Sequence, residues 1–116
     1  MVSFEIKETE HKGFPVIIFE GYCAKAGAAA LEEKLEEILS EGKNKIIIDL
    51  SRCSILSSPG LAILLNMVME IFDDYKGQVN FVGLDKVKEH LMNMVGVLPI
   101  AGSFPNLEEA GAAMTE

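Results

Sequence analysis

The chain has 116 residues, 49% of them apolar, which is enough material for one hydrophobic core but not for two. Its 10 basic and 18 acidic residues give a formal net charge of −8, so its electric field repels nucleic-acid phosphates and anionic lipid surfaces. We therefore expect a single domain over residues 1–116, with neither nucleic acid nor a lipid surface as its partner.

The sequence carries no signal for secretion or membrane insertion. Its N-terminus lacks a charged region followed by an apolar region and a cleavage site, and its richest apolar stretch, residues 61–72, is interrupted by Asn66 and Glu70. That stretch is shorter than the roughly 20 residues that a membrane-spanning helix needs. Cys23 and Cys53 lack the spacing of a metal site or a redox pair, so we expect both cysteines to be small core or surface residues. These features predict a soluble, cytoplasmic protein.

The first half of the chain predicts a β-hairpin, a helix and a buried strand. Apolar residues alternate with polar ones at positions 2, 4 and 6, residues 11–13 break the pattern, and a near-continuous apolar run covers residues 14–19. Apolar residues at 31, 35, 38 and 39 then recur at helical spacing opposite glutamates, and Gly42 ends this helix. The β-branched run 45–50 predicts a parallel strand covered on both faces, reached by a right-handed crossover.

A second helix should begin near Ser58, with Pro59 at its first helical position, and reach about residue 75. On the residues alone, Ser58 is the expected helix cap, its hydroxyl accepting a backbone N–H. Helical spacing predicts that the buried stripe of this helix consists of Leu61, Leu65, Val68 and Phe72. Leu65 and Val68, together with Ile47 of the preceding strand, are therefore expected in the core.

The last third predicts one more strand and helix, followed by a short tail. Residues 78–82 have the composition of a strand, and Asp85 can cap a helix that ends at Gly96. This helix carries four apolar residues, Val87, Leu91, Met94 and Val95. Residues 98–101 predict an edge strand, and Asn106 with Glu109 resembles a capping box for a short final helix.

Motifs of enzymes are missing from the sequence. It contains no P-loop, no GxGxxG motif opening a helix and no Cys-x-x-Cys pair. His11 falls in a predicted turn and His90 on a charged helix, so both are expected in solvent. Asp49 lacks the acidic pair and the lysine of a phosphate-accepting receiver site, and we expect its carboxylate to accept loop N–H bonds. We predict no catalytic residue, no metal site and no cofactor.

The segment Ile46-Ile47-Ile48-Asp49-Leu50-Ser51, followed by Ser57-Ser58-Pro59-Gly60-Leu61-Ala62, resembles the STAS family of anti-sigma factor antagonists. In that family a buried strand ends in an Asp-Leu-Ser-like turn. An Asp-Ser-Ser-Gly-Leu-like motif then opens the next helix, and its first serine is phosphorylated. Aligned on Gly60, the phosphorylatable position is Ser58. Ser57 stands where the family usually has aspartate and Pro59 where it has the second serine, and the Gly21-Tyr22-Cys23-Ala24 turn lacks the family's acid.

The resemblance implies an α/β fold with a mixed four- to five-stranded sheet, parallel central strands and helices packed mainly on one face. It also implies a non-enzymatic function, in which the protein binds a serine-kinase-type anti-sigma factor and is switched off by phosphorylation of Ser58. The departures at Ser57 and Pro59 favour an alternative, a non-phosphorylated scaffold or accessory subunit of a transport or signalling complex. A carrier of small molecules would require an apolar pocket. The protein could be a monomer or a homodimer.

We expect a partner-docking patch beside the phosphorylatable serine. On a helical projection Ile63 and Met67 fall away from the predicted buried stripe, one turn apart and close to Ser58. The expected partner-binding residues are Ser57, Ser58, Pro59, Gly60, Ile63 and Met67.

Overall fold

The structure, a computed structural model, describes residues 3–114, so the predicted contribution of Val2 to the first strand lies outside the described residues. The secondary-structure elements are, in chain order, β1 Phe4–His11, β2 Phe14–Cys23, α1 Lys25–Ser40, β3 Lys45–Leu56, α2 Ser58–Asp73, β4 Gln78–Val82, α3 Lys86–Val95, β5 Gly102–Phe104 and α4 Leu107–Ala112.

The strands form one mixed sheet in the order β1-β2-β3-β4-β5. β1 and β2 pair antiparallel, and the pairs from β2 to β5 are parallel, which confirms the predicted hairpin and parallel centre. The hairpin closes through Lys12 and Gly13, whose φ angles of 52° and 89° suit a two-residue loop that matches the twist of the strands. α1 joins β2 to β3, α2 joins β3 to β4, and α3 joins β4 to β5.

The helices cover the two faces of the sheet unequally, as predicted. α1, α2 and α3 pack over the main core on one face and contribute, among others, Leu31, Leu64 and Met92. The short helix α4 covers a smaller core on the other face, and the buried amide of Asn80 holds it by donating to the Ala110 carbonyl at 2.9 Å. Ile47 is buried, as predicted, but it packs in this second core and not beneath α2.

The face of α2 that is buried differs from the prediction. Its buried residues are Gly60, Leu61, Leu64, Met67, Val68 and Ile71. Leu65 is only half-buried and Phe72 is 53% exposed, so the predicted stripe was wrong at both positions. The reason is that α1 packs against α2 and covers one of its flanks in addition to the side that lies on the sheet. The buried arc is therefore rotated towards α1.

Most of the predicted helix ends are confirmed. Asp85 Oδ1 accepts the Lys88 N–H at 2.8 Å, and Asn106 Oδ1 accepts the Glu109 N–H at 2.9 Å. Gly42 and Gly96 follow their helices with φ angles of 86° and 92°.

The predicted edge strand over residues 98–101 is wrong. Residues 98–100 form a turn, and the edge strand is β5, which begins at Gly102. Pro99 has no N–H to donate to a neighbouring strand, which disfavours pairing at this position.

Candidate partner-binding site at the start of helix α2

Ser57 holds the start of α2 against the end of β2. It is the N-cap residue, and its Oγ accepts the Gly60 N–H at 3.1 Å. The same hydroxyl donates to the Cys23 carbonyl at 3.4 Å, and the Ser57 backbone N–H donates to that carbonyl at 3.1 Å. The prediction that Ser58 caps this helix was therefore wrong by one residue. The reason is tertiary, because the Cys23 carbonyl offers the Ser57 hydroxyl a second partner.

Gly60 is required by the close approach of α2 to the end of β2. A Cβ atom added at Gly60 would overlap the carbonyl oxygen of Cys23 and contact the carbonyl carbon at 3.0 Å. Gly60 is buried, so it shapes the site and offers no side chain to a partner.

Ser58 and Pro59 form the exposed surface of this helix start. Pro59 has no N–H, the Gly60 N–H is bound to Ser57 Oγ, and the Leu61 N–H donates to the Ser57 carbonyl at 2.8 Å. These backbone donors are therefore not available to bind an anion on the Ser58 hydroxyl. A charged group at Ser58 would face solvent or an approaching partner.

The two apolar residues predicted beside Ser58 have different environments. Met67 is 1% exposed and belongs to the main core, so the prediction that it lies in a docking patch was wrong. Ile63 is half-buried and packs against the same core, which leaves only part of its side chain to a partner. The packing of α1 against α2 explains both outcomes.

The outward apolar residues of α2 were missed by the sequence prediction. Ala62, Leu65, Met69 and Phe72 follow Ser58 at alternating spacings of four and three residues, so they lie in line with it along one side of the helix. Met69 is 41% exposed and Phe72 is 53% exposed. The available signal was the composition of α2. Apolar residues lie around most of its circumference, which is more apolar surface than one buried stripe needs.

Two further exposed apolar side chains lie at the ends of the strands. Tyr22 of β2 and Ile55 of β3 are paired in the sheet, and both are exposed. They lie at the carboxyl edge of the parallel strands, the edge at which α2 begins. Exposed apolar and aromatic groups therefore occur at the same edge of the sheet as Ser58, as is common where proteins contact one another.

The cysteines are core residues. Cys23 and Cys53 are both free and buried. Burial, with a smaller contribution from the nearby Cys53, raises the pKa of the Cys23 thiol to about 12, and burial also raises the pKa of Cys53. Both groups therefore stay in the unreactive thiol form at neutral pH.

The remaining polar candidates have structural environments. The Asp49 carboxylate accepts the Ser51 N–H at 2.9 Å and the Ser51 hydroxyl at 2.7 Å, as expected. His90 is exposed, but His11 is not the solvated residue that was predicted, because its Nε2 lies against α4, 3.7 Å from Glu108 Oε2. Within residues 3–114 no group of three or more His, Cys, Asp or Glu side chains could hold a metal ion. Over the same residues no helix has the length and apolar character to cross a bilayer.

The sheet and its helices form a small α/β domain. Its candidate partner surface lies at one edge of the sheet, where α2 begins with Ser58 after the central strand β3. The family model of the STAS domain matches residues 5–110, and the chain belongs to that family.

Solved structures share this fold. An anti-sigma factor antagonist from Mycobacterium paratuberculosis superimposes with a TM-score of 0.83 at 22% identity, over 98% of this chain and 96% of that one. The Bacillus cell fate determinant SpoIIAA in its phosphorylated form superimposes with a TM-score of 0.71 at 18% identity, over 97% of this chain and 100% of that one.

A characterised relative matches in sequence over part of its length. The anti-sigma-F factor antagonist RsfB of Mycobacterium tuberculosis is 36% identical over 62 residues, which are 53% of this chain. The match spans about half, 51%, of the length of that relative.

Proposed function

We propose that this protein is a cytoplasmic anti-sigma factor antagonist, which binds a serine-kinase-type anti-sigma factor and is switched off by phosphorylation of Ser58. The observation that carries the proposal is the exposed Ser58 at the first position of α2, where it is not the capping residue and is bordered by apolar groups. The relatives described as anti-sigma factor antagonists support the choice of partner.

The geometry favours Ser58 over its neighbour as the acceptor of a phosphate. The Ser57 hydroxyl accepts from Gly60 and donates to Cys23, so modification of Ser57 would break the cap of α2. Modification of Ser58 leaves both hydrogen bonds in place. A kinase therefore reaches Ser58 without unfolding the start of the helix.

Phosphorylation at Ser58 would act on binding more than on folding. A phosphate adds about −1.5 to −2 charges at neutral pH. Pro59 has no N–H and the Gly60 and Leu61 N–H groups are already bound, so these three residues give the added charge no hydrogen bond. A partner that covers this surface would have to desolvate the phosphate, which is costly without compensating hydrogen bonds.

The proposed contact surface is the predicted one without Met67. Ser58 and Pro59 face the partner, and the exposed part of Ile63 lies one turn further along the helix. Ser57 and Gly60 contribute by holding the start of α2 at the end of β2. Among the residues that sequence reasoning proposed, these five remain.

The experiment is a calorimetric titration against the purified anti-sigma factor encoded nearest to the gene of this protein. The parent and Ser58→Ala should bind equally, and Ser58→Asp should bind at least about tenfold more weakly, a loss of roughly 1.4 kcal/mol. Ser40→Asp is the matched control, because Ser40 is an exposed serine at the end of α1, away from the start of α2. The control should bind like the parent.

Phosphopeptide mass spectrometry after incubation with that anti-sigma factor and ATP completes the test. The proposal requires the modification at Ser58. An unmodified Ser58, together with a Ser58→Asp variant that binds like the parent, would refute the switch.

A second candidate function is a scaffold or accessory subunit that is not phosphorylated. It is favoured by the departures at Ser57 and Pro59, since Pro59 has no N–H and the Gly60 N–H is bound to Ser57 Oγ. Under this function Ser58→Asp folds and binds its partner normally. A small-molecule carrier is less well supported, since a groove of about 450 Å³ beside β5 is open to solvent and lined in part by Asp85 and Glu89.

A further inference from the structure

Strand β1 leaves one long edge of the sheet without a partner strand in the described part of the chain. β1 lies at one end of the strand order and spans eight residues, whereas β5 at the other end spans three. The pairing of β1 with β2 runs from Phe4 to His11 without a register shift, and β1 contains no proline. A long and regular edge of this kind offers a row of backbone hydrogen-bonding groups to a further strand.

The backbone groups at this free edge belong to alternate residues. The Tyr22 N–H donates to the Ser3 carbonyl at 3.0 Å, so the backbone groups of Ser3 point towards β2. In an antiparallel pair every second residue bonds to the partner strand in this way, and the residues between them point their N–H and C=O groups away from it. Phe4, Ile6 and Glu8 therefore present their backbone groups at the free edge.

Glu5 on this strand is an exposed acid without a cation. Its partner across the sheet is Glu20, and like charges at directly opposite positions repel one another. Glu20 Oε2 lies 3.3 Å from Lys7 Nζ and 3.6 Å from an Arg52 guanidinium nitrogen, so both cations pair with Glu20. Within residues 3–114 Glu5 forms no ion pair. A cation placed beyond the free edge would therefore stabilise Glu5.

We propose that the free edge of β1 pairs antiparallel with β1 of a second copy of this chain. A two-fold axis at Ile6 brings the half-buried Ile6 side chains of the two copies together, which continues the main core across the edge. The same axis places Glu5 of each copy directly opposite Lys7 of the other. Opposite charges at such positions stabilise a pair of strands. Arg52 keeps Glu20 paired when Lys7 turns to the second copy.

The charges of β1 select this register. The core faces of the two sheets stay on the same side only when the axis passes through a residue and not between two residues. An axis at Glu5, Lys7 or Glu8 would set that side chain opposite its own copy, which is a like-charge pair. An axis at Thr9 would set Glu8 opposite Glu10. The register with the axis one residue after Glu5 sets no two like charges opposite each other.

The test is sedimentation equilibrium of the whole protein and of charge-exchanged variants. One strand pair is a small interface, so we expect a dimer dissociation constant of about 10 µM for the parent. Glu5→Lys and Lys7→Glu each create two like-charge pairs across the axis and should weaken dimerisation at least about tenfold. The double variant Glu5→Lys/Lys7→Glu exchanges the charges and should dimerise within about threefold of the parent. Lys86→Glu, at an exposed position on α3, is the matched control for Lys7→Glu and should stay within about twofold.

Recovery in the double variant is the decisive result, because altered folding in one single variant would not be repaired by a second change of charge. A parent that stays monomeric at about 100 µM overturns the proposal. A dimer that neither single substitution weakens uses another surface, and a double variant that stays dissociated shows that Glu5 and Lys7 are not opposite each other, so both results overturn it as well. The measurement uses no anti-sigma factor, and its outcome is therefore independent of the function proposed above.

Discussion

Two methionines two residues apart on α2 provide a direct test of which side of this helix is buried. Met67 is 1% exposed in the main core, whereas Met69 is 41% exposed on the outward stripe. Truncation to alanine removes three methylene-sized groups, worth roughly 0.8 kcal/mol each when buried, or about 2.4 kcal/mol together. The cavity left at Met67 adds to this, so Met67→Ala should cost about 3 kcal/mol, within the usual range for such changes. Met69→Ala should change stability by no more than about 0.5 kcal/mol.

Urea denaturation of the parent and the two variants, followed by circular dichroism, measures both free energies of unfolding. At about 4 °C for each kcal/mol, Met67→Ala should also lower the melting temperature by about 12 °C. Equal losses for the two variants would mean that the described orientation of α2 is wrong.

Three further predictions follow from the same site and its surroundings. Ser57→Ala should cost about 1 kcal/mol in urea denaturation, because it removes the cap of α2, and Ser58→Ala should cost much less; the reverse order would contradict the assignment of the cap. Native protein should resist iodoacetamide at pH 8, because a pKa of about 12 leaves on the order of one Cys23 thiol in ten thousand ionised, and rapid labelling of Cys23 or Cys53 would disprove their burial. Asp85 accepts hydrogen bonds from the Lys88 ammonium and from the Lys88 backbone N–H. These bonds, the ammonium first, lower the Asp85 pKa. The contribution of Asp85 to stability is therefore present above its unfolded pKa of about 3.9 and is lost as the pH falls through its lower pKa in the folded protein. Asp85→Asn should remove that part of the acid-unfolding curve. An unchanged curve would refute this contribution.

Local sequence was sufficient for the order of the elements and for most helix ends. Gly42 and Gly96 end helices because glycine adopts positive φ readily, and Asp85 and Asn106 begin them because their side chains accept N–H groups three residues later. These interactions span only a few residues. The segment from Ile46 to Ala62 was also sufficient for the family, which the match over residues 5–110 shows.

The choice between the two serines at the start of α2 needed the tertiary structure. Ser57 and Ser58 are chemically equivalent as caps, and Pro59 is acceptable in the first turn after either. The Cys23 carbonyl at the end of β2 selects Ser57, because it accepts both the backbone N–H and the hydroxyl of that residue. Ser58 is left exposed as a consequence of a contact between residues that are far apart in the chain.

The sequence by itself determined that α2 is a helix, and only the tertiary structure decided which of its sides is buried. Apolar residues lie around most of its circumference, so helical periodicity does not select one stripe. α1 packs against α2, and of the outlying apolar residues Met67 is buried whereas Leu65 is half-buried and Phe72 is exposed. Burial depends on which neighbouring element reaches each flank, and that is a property of the assembled sheet and helices, which the spacing along one helix does not contain.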